Sequence, residues 1–365
     1  MKIIHCADIH LDSKLSSNYD GDKKKRRKEE ILRNFINMTE YAAGNCVEAI
    51  IIAGDLFDTS NITQSTANAV RRCIRENPDI TFFYLKGNHD VYSFLCDTDK
   101  YDNLKMFGEE WTAYTIGANN NIVITGAEIT SENSRYLFNS LVLEADKYNI
   151  VTLHGQNAES SSKDKTEIID FGSLKNKSID YLALGHVHKY SCGRLDQRGE
   201  YCYPGCLEGR GFDECGEHGF VELDIDEDTL KCERRFVNFC IRKIYEVEVD
   251  ASECSDSTEA IRAIRRCLNE TKVTSEDIVK IVLNGEIDEE AEIDIDYIRD
   301  NLWDEYYLIK IYDKTQIRID YRRYEADISL KGEFIRLVMG DDSLDPEEKA
   351  AIIRTGIRAI AGEEY

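Results

Sequence analysis

A chain of 365 residues, 42% of them hydrophobic, is long enough for two or three domains and for a sizeable buried core. No apolar stretch approaches the 18 residues of a membrane-spanning helix. The start, MKIIHCADIH, does not read as a signal peptide, because its short apolar part meets polar groups at once, so a cytoplasmic protein with free thiols is expected. The net charge of −24 argues against capture of nucleic acid by simple attraction, without excluding a nucleic-acid substrate whose basic surface a partner supplies.

Along residues 1–240, strand-like and helix-like segments alternate. Short apolar runs recur as KIIHCA, AIIIAG, ITFFYLKG, NIVITGA, NIVTLHG and YLALGH, and such runs read as strands buried on both faces. Helical patterns lie between the early ones, over 28–45 and 64–77, the second stopping before Pro78. The pattern predicts α/β architecture with a central sheet covered by helices. The basic run KKKRRK at 23–28 has two readings, a solvated helix start or a contact to a phosphate backbone. Cys192, Cys202, Cys206 and Cys215 with His218 could be taken for a zinc knot, but they contain no CxxC pair and fit no standard spacing.

Over 241–325 the pattern changes to a small α+β unit. RKIYEVEVD alternates as a strand, and STEAIRAIRRCLNE reads as an amphipathic helix capped near Ser257 or Thr258. IVKIVLNG, a helical stretch near 294–304 and YYLIKIYD follow, and the acidic segment 286–305 reads as a solvated face. The tail, 326–365, is helical. Asp345 is placed to cap it, with Pro346 in the first helical position and Glu348 three residues after the cap. Ile353, Ile357 and Ile360 share a face that either packs on the chain's own core or docks a partner.

The chemistry gathers where the strands end. Asp8 and His10 follow the first, and Gly54-Asp55-Leu56-Phe57-Asp58 the second. Gly87-Asn88-His89-Asp90, His154-Gly155 and Gly185-His186-Val187-His188 follow later ones. Five of the seven histidines thus occupy one kind of place, the loop at the C-terminal end of a strand, where α/β sheets build their sites. Each fragment alone is weak, but their joint recurrence is hard to explain structurally. Carboxylate, imidazole and amide oxygen without thiolate suit Mn, Fe or Zn better than Ca. The candidates are too many for one ion, and Asp55 is the natural bridging carboxylate. Two cations would clamp a phosphoryl centre and acidify a bridging water, which points to phosphoester hydrolysis without a covalent intermediate. In an extended GHVH, period-2 geometry puts His186 and His188 on one side.

In this order, D-x-H, GDLFD, GNHD, H-G and GHVH resemble the calcineurin-like metallophosphoesterases, over residues 1 to about 215. The resemblance implies a layered β-sandwich core flanked by helices. One metal would be held by Asp8, His10, Asp55 and His188, the other by Asp55, Asn88, His154 and His186. His89 would protonate the leaving oxygen, and Asp58 would orient it. Within that superfamily the chain looks like the bacterial DNA-repair exonuclease group of SbcD and YhaO type, in ADIHLD, GDLFD and the loop YCYPGCLEGRGFDECGEHGFVEL. Cys206 stands in that loop where Ser or Asn is expected. The group implies two divalent ions, Mn²⁺ first with Fe²⁺, Zn²⁺ or Mg²⁺ as alternatives. It implies DNA as substrate, a capping domain that helps select it, and an SMC-like, SbcC-like ATPase bound by the tail. It also implies homodimerisation, assigned here to a helix hairpin near 60–110, and no membrane contact. The competing readings are a phosphodiesterase or phosphatase acting on nucleotides or other small phosphoesters, and a scaffold that keeps the fold without catalysis.

Overall fold

Alternation along the first strands decides the layering. In the run AIIIA, Ala49 and Ile51 join one core while Ile50 and Ile52 join another, as a period of two requires of a strand buried on both faces. A computed structural model describes residues 1–15, 19, 21–58, 62–90, 101–157, 167–288, 291–318, 324 and 327–361. The chain divides into two compact units, Met1–Ile244 and Tyr245–Tyr365.

The first unit runs β1 (Lys2–Cys6), α1 (Gly21–Gly44), β2 (Val47–Ala53), α2 (Gln64–Glu76), β3 (Thr81–Leu85), β4 (Leu104–Met106), β5 (Thr112–Ile116) and β6 (Ile122–Gly126). Then come α3 (Leu137–Ser140), β7 (Tyr148–His154), β8 (Gln156–Asn157), β9 (Ile168–Ile169), α4 (Phe171–Leu174) and β10 (Tyr181–Gly185). It closes with β11 (Ser191–Arg194), β12 (Glu200–Tyr203), β13 (Gly219–Asp226) and β14 (Lys231–Asn238).

Among the described residues there is not one central sheet but two mixed six-stranded sheets, ordered β14-β13-β1-β2-β3-β4 and β11-β12-β10-β7-β6-β5. The apolar runs show burial on both faces but carry no information about which strand pairs with which, hence the expectation of a single sheet. Ile3, Ile51, Phe83, Ile124, Ile150, Tyr181 and Val221 fill the space between the sheets. Ile50, Ile52, Phe82 and Tyr84 pack on the other side with Ile31, Phe35 and Met38 of α1 and Val70 of α2. Val151, Leu153, Leu182 and Leu184 pack outward with Phe138, Phe171 and Leu174 of the short helices. The layered β-sandwich flanked by helices is therefore the fold. Strands β1, β2 and β3 run parallel, as do β7 and β10, so the ends bearing the histidine loops point one way within each sheet.

Helix α1 begins at Gly21, earlier than the apolar period suggested, and takes the basic run into its first turns. Cations there oppose the helix dipole, and Arg27 is offset by carboxylates. It is fully buried, with Nη2 donating to Glu208 Oε1 and the Gly209 carbonyl at 2.6 Å and Nη1 to Glu30 Oε2 at 3.1 Å. Neither reading of the run fits Arg27, which is a core ion-pair residue. Glu208 also accepts Asn34 Nδ2 at 2.8 Å and the backbone N–H groups of Ile241 and Arg242 at 2.7 and 3.1 Å, and Arg242 returns to Glu30 at 2.6 Å. Removing one partner of a buried pair leaves the other uncompensated, at about 3–5 kcal/mol. Glu208→Ala is therefore expected to destabilise this unit by that amount, read as a lowered urea midpoint.

Region 60–110 is not a helix hairpin in its described part. Helix α2, capped by Thr63, is followed by β3 and β4, while residues 59–61 and 91–100 lie outside the described residues.

The second unit runs β15 (Ile244–Asp250), α5 (Ser257–Glu270), β16 (Ile278–Asn284), β17 (Glu286–Asp288), α6 (Ile295–Leu302), β18 (Leu308–Asp313), β19 (Gln316–Arg318), α7 (Leu330–Met339) and α8 (Pro346–Ala361). Val247, Val249, Val279, Ile281 and Ile309 of the sheet β15-β16-β18 pack with Ile261 and Ile264 of α5 and Ile298 and Leu302 of α6. The cap of α5 is Asp256, one residue before the expected position, its side chain accepting the Glu259 N–H. At α8 the N–H of Glu348 donates to Asp345 Oδ1 at 2.9 Å, and Glu348 Oε2 accepts the Asp345 N–H at 3.0 Å, a reciprocal cap. Ile353 and Ile357 are buried with Tyr324 and Ile335, whereas Ile360 is 42% exposed, so Ile353 and Ile357 pack on the chain's own residues. Among the described residues no helix is long and apolar enough to cross a membrane.

Candidate metal centre

Asp8, His10 and Asp55 all adopt left-handed backbone, with φ of 51°, 50° and 50°, a region disfavoured for residues with a Cβ. Hydrogen bonds hold them there. The Asp8 N–H donates to the Gly54 carbonyl at 3.1 Å and the His10 N–H to the Asp55 carbonyl at 2.9 Å, locking the loops after β1 and β2 together. Asp90, the last residue of GNHD, is buried and accepts the N–H groups of Phe57 at 2.8 Å, Gly87 at 3.0 Å and Leu56 at 3.3 Å, tying the loop after β3 to the loop after β2. Burial lifts its carboxyl to about 6, against the Gly87 and Phe57 N–H groups that favour its charge. Glycine is required at 54, where φ is 92° and a Cβ would collide with the His154 ring.

Four overlapping groups of donors result among the described residues. Two of them, Asp8 with Asp55 and His154, and His10 with Asp58 and His89, share members with the two that define the sides of the site. Asp8, His10 and His188 bring ligand atoms within 4.8 Å of one another, as do His154, His186 and Glu167. Asp55 touches both sides, with Oδ2 at 3.4 Å from His154 Nε2 and 3.7 Å from His10 Nε2. Asn88 Oδ1 lies 3.3 Å from His154 Nε2. The Nε2 atoms of His10 and His188 face each other at 3.1 Å beside Asp8, and one proton cannot satisfy three converging donors. Imidazole and carboxylate donors so arranged fit divalent ions in each group. The same carboxylates act on His154. Burial opposes its charge, but the Asp55 hydrogen bond and the charges of Asp55, Asp8 and Glu167 lift it to about 10, in a place built to stabilise a cation. Burial likewise opposes ionisation of Asp55, and the contacts to His154 and His10 override it, holding the carboxyl below its ordinary range.

The GHVH segment does not continue as a strand. β10 ends at Gly185, His186 has φ 93°, and its N–H donates to both Asp8 oxygens at 2.9 and 3.0 Å. The Asp8 carboxylate captures the backbone and turns it, so the two imidazoles diverge, His188 toward His10 and His186 toward Glu167 at 3.7 Å. Beside the first group, His89 Nδ1 lies 3.1 Å from Asp58 Oδ1, and the same oxygen is 3.2 Å from His10 Nδ1. His89 is 45% exposed, and the Asp58 hydrogen bond raises its pKa, outweighing partial desolvation.

Sequence reasoning missed three participants. Glu167 follows no strand motif and stands just before β9. Glu214 accepts from His188 Nδ1 at 2.8 Å, fixing which nitrogen faces the donor group. Arg210 Nη2 donates to Glu214 at 2.8 Å and its Nη1 lies 3.7 Å from Asp58. Both belong to the loop containing Cys206, whose buried thiol lies 3.2 Å from His218 Nδ1. The presence of two acids and an arginine in GRGFDE next to the glycines was the available signal. Carboxylates behind ligating histidines typically account for about 10–100-fold in metal affinity. Glu214→Gln is expected to weaken metal binding by about that factor, read by calorimetric titration.

The fold and these donor groups are those of a metal-dependent phosphoesterase. Residues 1–190 match the calcineurin-like phosphoesterase family, and the chain belongs to it. It is related to Mre11-type DNA-repair proteins. It is 25% identical over 304 residues to the DNA double-strand break repair protein Mre11 of Aeropyrum pernix, covering 78% of this chain and 72% of that protein. The Mre11 protein of Sulfurisphaera tokodaii is 25% identical over 303 residues, covering 78% and 73%. The metallophosphoesterase YhaO of Bacillus subtilis is 23% identical over 313 residues, covering 78% and 72%. With its two clustered donor groups, the chain has the equipment of a two-metal phosphodiesterase.

Proposed function

We propose that this protein is the nuclease subunit of a DNA-repair exonuclease, hydrolysing phosphodiester bonds with two Mn²⁺ ions. The observation that carries the reading is the His89–Asp58 pair, an acid held 3.1 Å from its orienting carboxylate and within ring contact of His10, at 5.1 Å between centroids. Asp8, His10, Asp55 and His188 would hold one ion, and Asp55, Asn88, His154 and His186 the other, with Glu167 beside the second. The ions when bound supply positive charge to the phosphoryl oxygens and a nucleophilic hydroxide at neutral pH. His89, kept protonated by Asp58, gives its proton to the leaving oxygen, and Asp58 keeps the ring oriented.

DNA as substrate is supported by the relatives named for double-strand break repair, which align over most of this chain. A homodimer and a partner ATPase of SMC type are part of the same reading. The exposed Leu330, Leu337, Met339 and Ile352 on α7 and α8 offer that ATPase an apolar surface. The alternative, a phosphodiesterase for nucleotides or other small phosphoesters, draws support from the net charge of −24. Purified protein with Mn²⁺ is to be given linear DNA and bis-p-nitrophenyl phosphate, with and without the ATPase. DNA loss is expected. Cleavage of the small diester alone, even with the ATPase present, would replace the nuclease reading by the alternative.

A further inference from the structure

A cavity of about 240 Å³ adjoins the GHVH segment, and His188 belongs both to its lining and to the first donor group. Its wall includes Tyr190 and Phe236, whose rings pack at 4.3 Å between centroids and 31° between planes. Arg234 Nη1 donates to the Tyr190 hydroxyl at 2.9 Å, so the ring is held from its far end. Asp213 and Glu217 add carboxylates to the lining and Lys189 one ammonium. None of this is needed to hold metal or to move the leaving-group proton.

We infer that this cavity receives the base of the nucleotide whose phosphate lies at the donor groups, with preference for bases carrying an exocyclic amine. The inference rests on the nucleic-acid reading above and deepens it. A small cavity with two aromatic rings on one wall and carboxylates on another suits one heterocycle. A second phosphate is disfavoured beside Asp213 and Glu217, whereas a neutral base is not. Those carboxylates accept and cannot donate, and adenine and cytosine present amino donors where thymine presents a carbonyl that a carboxylate repels. Fixed aromatic faces contribute stacking that every base can use, and the carboxylates supply the discrimination.

Calorimetry on the full-length, Mn²⁺-loaded protein tests this with dAMP, dTMP and 2-deoxyribose 5-phosphate. The expected order is dAMP tightest, dTMP next and the sugar phosphate about 10-fold or more weaker than dAMP. Tyr190→Ala and Phe236→Ala should each erode the advantage of dAMP while leaving the sugar phosphate unchanged. Asp213→Asn with Glu217→Gln should bring dAMP and dTMP together. Phe236→Leu, which keeps apolar bulk, serves if the alanine variants fail to fold by circular dichroism. Equal affinity for dAMP and the sugar phosphate, or an advantage that survives both aromatic substitutions, overturns the inference. Failure of the nuclease reading shows separately, as wild-type protein that leaves linear DNA intact.

Discussion

Asp55→Asn is expected to abolish binding of both metal ions and to reduce cleavage of bis-p-nitrophenyl phosphate by at least about three orders of magnitude. The argument rests on what each carboxylate oxygen does. Oδ1 accepts the His89 N–H at 3.0 Å, while Oδ2 lies near His154 on one side and His10 on the other. It is the one carboxylate among the described residues found within 4 Å of an imidazole from each donor group. An amide of the same shape can keep the His89 contact, so the loop should stay folded, tied as it is by the three bonds to Asp90. It removes the negative charge that both groups share, and its N–H₂ would point at the rings. Loss of metal forfeits several kcal/mol of transition-state stabilisation, at 1.4 kcal/mol per power of ten. Metal content is read by mass spectrometry on the dialysed protein. Full retention of both ions would show that the groups are independent and that Asp55 bridges nothing.

How much of this was legible beforehand follows from what a sequence encodes locally. The strands showed themselves because burial on both faces demands continuous apolar runs, and the loops because glycine marks a sharp turn. Asp8, His10, Asp55, Asn88, His89, His154, His186 and His188 could be collected because each lies at or just beyond the end of a strand. Glu167 and Glu214 have no such address. They are brought in by tertiary contacts, and an acidic residue is unremarked in a chain with 70 of them. Arg27 was hidden for the same reason, since its partner Glu208 is far away in sequence and a lysine- and arginine-rich run reads as solvated. The turn at His186 was missed because it is imposed by Asp8, a residue 178 positions earlier, and not by its own neighbours. Local periodicity extends a strand until something distant captures the backbone.

Replacing His89 by alanine is expected to lower turnover by about 10²–10⁴-fold while leaving metal content unchanged. His89 is the exposed member of the histidine set and lies outside the two donor groups proposed to hold the ions, although it shares a third cluster with His10 and Asp58, so unchanged metal content is what separates proton transfer from metal binding. The partner substitution makes the role specific. The Asp58 hydrogen bond raises the His89 pKa, and desolvation opposes it only in part. A general acid must be protonated, so activity persists below the raised pKa and falls as pH climbs through it. Removing the carboxylate with Asp58→Asn takes away the stabilisation of the imidazolium. The alkaline limb of kcat should therefore move to lower pH, toward the ordinary value for histidine, and the maximum should fall because the ring is less firmly oriented. Asp58 Oδ1 also neighbours His10 Nδ1 at 3.2 Å, so metal content is measured on the same preparation. A pH profile that keeps its alkaline limb in Asp58→Asn, with both ions bound, would assign the limb to another group and remove His89 from the role of acid.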